Sequence, residues 1–237
     1  MKICLLSYRG NPFCGGQGVY LMYIARELVK LGHEVHAIVG PPYPFEMEGV
    51  TLHRISNHNY FNKPRDYIKP HKPFATFQPL NFYEFTASKF GIFPEIETFS
   101  FRAFLKLKEL LKTHRFDVIH DNQCLGYGFL LIKLFGIPFV STLHHPLSID
   151  RSTWFEYPSD FSLKMKRVLY YPLIMQRIVT NRMDRIITVS HDSAREIHRA
   201  FKTPLQKISV VYNGLDTEFF KPLPNITKIK NSVIFVG

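Results

Sequence analysis

Short runs rich in apolar and β-branched residues alternate along the chain with longer stretches whose apolar positions recur at helical spacing. Residues 1–40 carry the whole pattern once: KICLLS as a buried strand, YRGNPFCGGQG as a loop, VYLMYIARELVKLG as a helix and EVHAIV as a second strand. In that helix Tyr20, Ile24, Leu28 and Leu31 form one stripe at i, i+4, i+8 and i+11. Arg26, Glu27 and Lys30 fall off the stripe, and Gly32 supplies a stop. Later runs, VTLHRI, FDVIH, PFVSTLHH, RIITVS and ISVVYNG, read as further short strands with helix-length stretches between most of them. Strand–helix–strand repetition predicts an α/β fold: a Rossmann-like, doubly wound parallel sheet with helices on both faces.

Two segments depart from this rhythm. Between Pro41 and Phe101 the chain is dense in proline and phenylalanine, which predicts an elaborated insertion of irregular backbone that buries rings. FSLKMKRVLYYPLIMQRIVTNRM holds Lys164, Lys166, Arg167, Arg177 and Arg182 and no acidic residue, with Pro172 placed to divide it. Such a stretch reads as a helix with a solvated basic face or as one that lies on an anionic bilayer.

Composition narrows the classes. The 237 residues are 46% hydrophobic and 21% charged, values of a folded domain rather than a disordered chain. Three scattered cysteines, Cys4, Cys14 and Cys124, offer neither a disulfide framework nor a zinc site, which favours a reducing cytoplasmic setting. No apolar run approaches the roughly 18 residues of a membrane span, and the N-terminal apolar stretch is too short for a signal peptide. The net charge of +11 is dispersed and accompanies no nucleic-acid-binding signature, so phosphates of a small substrate or of a lipid surface suit it better than a nucleic acid.

Candidate chemistry collects at the ends of predicted strands. CGGQG, from Cys14 to Gly18, lies between a strand and a helix N-terminus, where free backbone N–H groups and the helix dipole favour an anion. The dinucleotide fingerprint fails, because the third glycine position is Leu21 and the second strand ends without an acid; hydride-transfer cofactors are disfavoured. FDVIHDNQ delivers His120, Asp121, Asn122 and Gln123 to a carboxyl edge, a set suited to a polyhydroxylated ligand, with capping of the next helix as the competing role for Asp121. STLHHPLSIDR adds His144, His145, Asp150 and Arg151; adjacent histidines point to opposite sides of an extended chain and make a poor metal site, but one suits donation to a substrate oxygen. Ser190 lacks the glycines of a nucleophile elbow and reads, with Asp192, as a helix cap.

The order of these motifs, the glycine loop, VKLGHEVHAIV, FDVIHDNQ, TLHH, RMDRIITVSHDSAREI and VVYNGLDTEFFKP, resembles the N-terminal half of family 4 retaining glycosyltransferases of GT-B fold. The resemblance spans essentially the whole chain. It implies a Rossmann-like acceptor domain over residues 1–222, with 223–237 as a linker and the first strand of a C-terminal donor domain. It implies transfer of a sugar from a nucleotide-diphosphate sugar, with retention and without a metal. Gly15, Gly16 and Gln17 would approach the donor phosphates. Asn122 and His144 would stand at the transferred sugar, flanked by His120, Asp121, His145, Asp150 and Arg151. Many relatives carry a second histidine where Asn122 stands, and an amide cannot transfer a proton near neutral pH.

The implied partners are the nucleotide-sugar donor, a sugar or lipid-linked acceptor, a donor domain in cis or in trans, and an anionic membrane surface, with the protein peripheral on the inner face. Without a donor domain the expected transferase activity is absent, and the alternative is a non-catalytic sugar- or phosphate-binding module or an inactive fragment.

Overall fold

The computed structural model describes residues 1–57, 78–89, 93–146, 173–222 and 232–233. Among the described residues seven strands, β1 (Lys2–Ser7), β2 (Glu34–Val39), β3 (Val50–Arg54), β4 (Val118–Asn122), β5 (Phe139–Thr142), β6 (Arg185–Thr188) and β7 (Ile208–Val210), form one sheet in the order β3-β2-β1-β4-β5-β6-β7. Every pairing is parallel. The α-helices among the described residues are α1 (Gly16–Lys30), α2 (Pro79–Lys89), α3 (Glu95–Leu110), α4 (Gly128–Ile132), α5 (Leu173–Arg182) and α6 (His191–Phe201).

The central strand shows why its sequence is apolar throughout. Side chains alternate across a strand, and β1 turns Ile3 and Leu5 into one core with Leu21 and Ala25 of α1. Cys4 and Leu6 enter the other core with Phe99 and Leu107 of α3, Phe129 of α4, Val179 of α5 and Phe201 of α6. A strand covered on both faces has no polar side to display. The doubly wound parallel sheet expected from the sequence is therefore the observed one.

Three local expectations are corrected. The insertion contains two helices, α2 and α3, joined by buried Glu84, whose carboxylate accepts from Thr98 Oγ1 at 2.6 Å and pairs with Arg102. Phenylalanines conceal the helical spacing of Phe99, Ala103, Leu107 and Leu110, all on the core side of α3. α1 begins at Gly16, so that Gly16, Gln17 and Gly18 form its first turn rather than the end of a loop. β4 continues through Asp121 and Asn122, which lie on the strand because both side chains find partners in neighbouring elements. Of the basic stretch only its end is described, as α5, which buries Met175 and Val179 and exposes Ile174 and Arg177; Lys164, Lys166, Arg167 and Pro172 lie outside the described residues.

Strand order sets the position of any ligand. From β1 the chain winds outward to β2 and β3, then returns through α3 to place β4 against the opposite edge of β1. The crossovers leave in opposite directions at this boundary and open a crevice at the carboxyl ends of β1 and β4.

Candidate functional site at the switch point

The crevice has the glycine loop on one side. Gly15 caps α1 with φ 114°, a conformation that favours glycine, and no side chain caps the helix. A Cβ at Gly18 would come within 2.0 Å of the Asn11 carbonyl oxygen, so that glycine lets the helix lie against the preceding loop. Among the described residues a Cβ at Gly15 or Gly16 would meet nothing within 4 Å. The start of α1 thus faces open space, with no acidic residue in its first turn to answer the partial positive charge of its N–H groups.

The ends of β4 and β5 form the other side. Asn122 Nδ2 donates to the Gln17 carbonyl at 2.9 Å and, more weakly, to Ser7 Oγ at 3.4 Å, so the tip of β4 is tied to the first turn of α1 and to the tip of β1. Asn122 Oδ1 stands 3.2 Å from His144 Nε2. The loop carrying His144 and His145 is held by Gln123, whose Oε1 accepts from the His144 amide at 2.7 Å and whose Nε2 donates to the His145 carbonyl at 3.1 Å. Burial, with the neighbouring His145 adding to it, pulls His144 down to about 4. Its imidazole is neutral at physiological pH.

The other residues singled out in the sequence fall into place unevenly. His120 is buried beneath the crevice, its Nε2 2.7 Å from Thr142 Oγ1, and burial lowers it to about 4. Asp121 is fully buried and turns inward, accepting from the amides of Cys124 and Leu125 and from Ser141 Oγ at 2.7 Å. It therefore ties down its own loop and does not take the role the sequence allows it, capping the next helix: α4 has Tyr127 at its N-cap and no side-chain cap. Burial raises its carboxyl to about 7, partly offset by those three donors. His145 is exposed. Asp150 and Arg151 lie outside the described residues. Ser190 accepts from the Ser193 amide at 3.0 Å as the α6 cap. Among the described residues no group of three or more His, Cys, Asp or Glu side chains is placed to hold a metal.

Two members of the cluster were missed. Tyr20 reads in sequence as one of an apolar stripe, yet its hydroxyl reaches Thr142 Oγ1 at 3.1 Å and its ring meets His144 edge-on at 4.7 Å. Thr142 joins Tyr20 to His120. The available signal was position: Tyr20 lies one turn from the glycines, and Thr142 ends a strand at the ligand edge. Nearby, Phe13 and Phe45 are exposed and pack edge-on at 5.8 Å beside a cavity of about 220 Å³ lined by Pro12, Met22, Arg26 and residues 44–48.

The histidine at the base of the cluster has a consequence for stability. Because His120 titrates near 4 in the fold and near 6.5 when unfolded, its contribution is present above pH 6.5 and lost as pH falls through about 4. Asp121 runs the opposite way, its contribution present below 3.8 and lost as pH rises through about 7. The variant His120→Gln should therefore show a shallower fall in Tm between pH 6.5 and 4 than the parent chain. An equally steep fall would contradict the buried, neutral assignment.

Residues 14–219 match Glycosyltransferase Family 4. The chain is 35% identical over 240 aligned residues to an MMP alpha-(1->4)-mannosyltransferase of Mycolicibacterium hassiacum, covering 100% of this chain and 57% of that protein. In fold it is similar to sucrose-phosphate synthase from Thermosynechococcus elongatus, with a TM-score of 0.61, 15% identity and coverage of 94% of this chain and 50% of that one. Anabaena HepE in complex with UDP-glucose gives a TM-score of 0.51 at 19% identity, covering 94% and 47%. The chain spans about half the length of the curated relatives it matches. With a Rossmann-like sheet, a glycine loop at the switch point and a family match over most of its length, the chain belongs to glycosyltransferase family 4.

Proposed function

We propose that this chain is the acceptor-binding half of an enzyme that transfers a sugar from a nucleotide-diphosphate sugar to an acceptor hydroxyl with retention. The observation that carries the reading is the uncapped start of α1 at Gly15 and Gly16, which faces open space across from Asn122 and His144. As the bond from the sugar C1 to the diphosphate breaks and the bond to the acceptor oxygen forms, negative charge grows on the departing diphosphate, which takes up the proton that the acceptor hydroxyl loses. Fixed N–H groups at Gly16, Gln17 and Gly18 are suited to meet that charge, and the reading assigns them this task rather than a metal. Support for a nucleotide-sugar donor comes from the HepE neighbour, whose structure holds UDP-glucose.

In this reading residues 1–222 form the acceptor domain and 223–237 lead into a donor domain, present in cis or supplied in trans. His145, Asp150 and Arg151 are proposed as contacts of the bound sugar, and buried His120 and Asp121 as braces beneath it. A second reading, a sugar- or phosphate-binding module without transferase activity, draws on Asn122, which cannot move a proton. Gly16→Val separates the two. The added Cβ there meets nothing within 4 Å among the described residues, so the fold should keep its Tm, whereas a bound diphosphate would collide with the new side chain. With the donor half present, the variant should lose about ten-fold or more in kcat/KM for the donor, the scale of about 1.4 kcal/mol. Unchanged kinetics, or no transfer by the parent pair with any nucleotide sugar, would overturn the enzyme reading.

The acceptor is proposed to be lipid-linked or membrane-proximal, with the protein cytoplasmic and peripheral. α5 exposes Ile174, Ile178, Arg177 and Arg182 together, an apolar and basic surface suited to an anionic bilayer. Among the described residues no helix is long and apolar enough to cross a membrane. Co-sedimentation with phosphatidylserine-containing vesicles should exceed that with phosphatidylcholine vesicles and fall with salt. Equal partitioning into both would remove the membrane element.

A further inference from the structure

Hydrogen-bond bookkeeping around Asn122 fixes more than the position of its side chain. A carboxamide presents one face of two N–H donors and one acceptor oxygen, and the two are told apart only by their partners. On one side Asn122 meets the Gln17 carbonyl at 2.9 Å, a group that can only accept. The same end lies 3.4 Å from Ser7 Oγ, and the single proton of that hydroxyl is already given to the Arg9 carbonyl at 2.8 Å, so Ser7 Oγ accepts as well. Two acceptors oblige the amino group to face β1 and α1. Turning the amide over would set its oxygen against a carbonyl oxygen.

The other end of the amide, the oxygen, therefore faces His144 Nε2 at 3.2 Å, and that nitrogen must carry the proton. The ring is gripped edge-on by Tyr20 at 4.7 Å, and its loop is pinned by Gln123 at both the His144 amide and the His145 carbonyl. Nδ1 has no hydrogen-bond partner among the described residues. We infer that Asn122 is a positioning residue that acts through His144: the main chain of the glycine loop orients its amide, and the amide locks His144 in the Nε2–H tautomer, leaving Nδ1 as a pure acceptor for a hydroxyl group of the bound ligand.

This assigns a direction of hydrogen bonding opposite to the donation to a substrate oxygen expected from the sequence. A pure acceptor takes the O–H of a sugar and repels a phosphate oxygen, so it sorts the two ends of a sugar diphosphate in one crevice: hydroxyls at His144, phosphates at the N–H groups of α1. Only this last step rests on the glycosyltransferase reading. The clamp itself stands on the geometry of the free protein, so failure of the clamp and failure of the proposed function are distinguishable.

Long-range proton–nitrogen correlation spectra of the 237-residue chain report the tautomer of each imidazole, with His144 assigned by its absence in His144→Gln. The expected spectrum shows a neutral Nε2–H ring from pH 5.5 to 8. Asn122→Asp keeps an acceptor beside Nε2 but adds a charge at a distance where opposite charges typically shift pKa by roughly 1–3 units, so His144 should titrate at least about one unit higher and gain a proton on Nδ1. Asn122→Leu, nearly the same size, should leave the pKa low but speed solvent exchange of the ring N–H. An Nδ1–H tautomer in the parent chain would overturn the inference. So would an unmoved His144 titration in Asn122→Asp when the amide spectrum shows the fold intact.

Discussion

Parallel pairing of β1 with β4 is the constraint on which the rest depends. Leu6 pairs with Asp121 in the register, which brings the last residues of the two strands side by side although more than a hundred positions separate them in sequence. Everything assigned to function hangs from that junction. The glycine loop leaves β1, the Asp-Asn-Gln run leaves β4, and the His144 loop leaves the next strand, all at one edge of one sheet. A parallel sheet buried on both faces makes the register costly to slip, because each strand would turn its core side chains the wrong way. The site inherits its precision from the core beneath it.

Burial explains the chemistry of the site as much as its shape. His120, Asp121 and His144 lie where water is scarce, and in each the charged form is the one penalised. Two neutral imidazoles and one carboxyl held by three donors give a polar cluster of low net charge. Against that background the start of α1 contributes a fixed partial positive charge with no acidic residue in its first turn to offset it. A neutral wall opposite a partial positive charge suits a ligand with hydroxyls at one end and phosphates at the other.

How far the sequence foretold this depends on the physics of each part. Strands such as KICLLS were legible because two-sided burial leaves an unbroken apolar run, and α1 because its stripe repeats at helical spacing. α3 was concealed: Phe99 and Ala103 lie among aromatic residues on several faces, so no clean stripe emerges, and the prolines nearby suggest irregular backbone. The site was legible as strand ends carrying polar residues, which located Asn122, Gln123 and His144. Partnerships were not. Nothing in the residues 118–122 says that Asp121 turns inward to its own loop while Asn122 reaches across to the Gln17 carbonyl. Tyr20 was hidden for a related reason: a tyrosine contributes its ring to an apolar stripe and its hydroxyl to a polar cluster, and sequence spacing registers only the ring.

The central claim is that the crevice between β1 and β4 receives a sugar diphosphate with its phosphates at α1. Amide chemical-shift mapping during titration with a panel of nucleotide-diphosphate sugars, donor half present, tests it most directly. The account predicts the largest shifts at the backbone N–H groups of Gly16, Gln17 and Gly18, with the His144 ring moving in step. Saturable shifts confined to other surfaces, with those three amides unmoved, would contradict it.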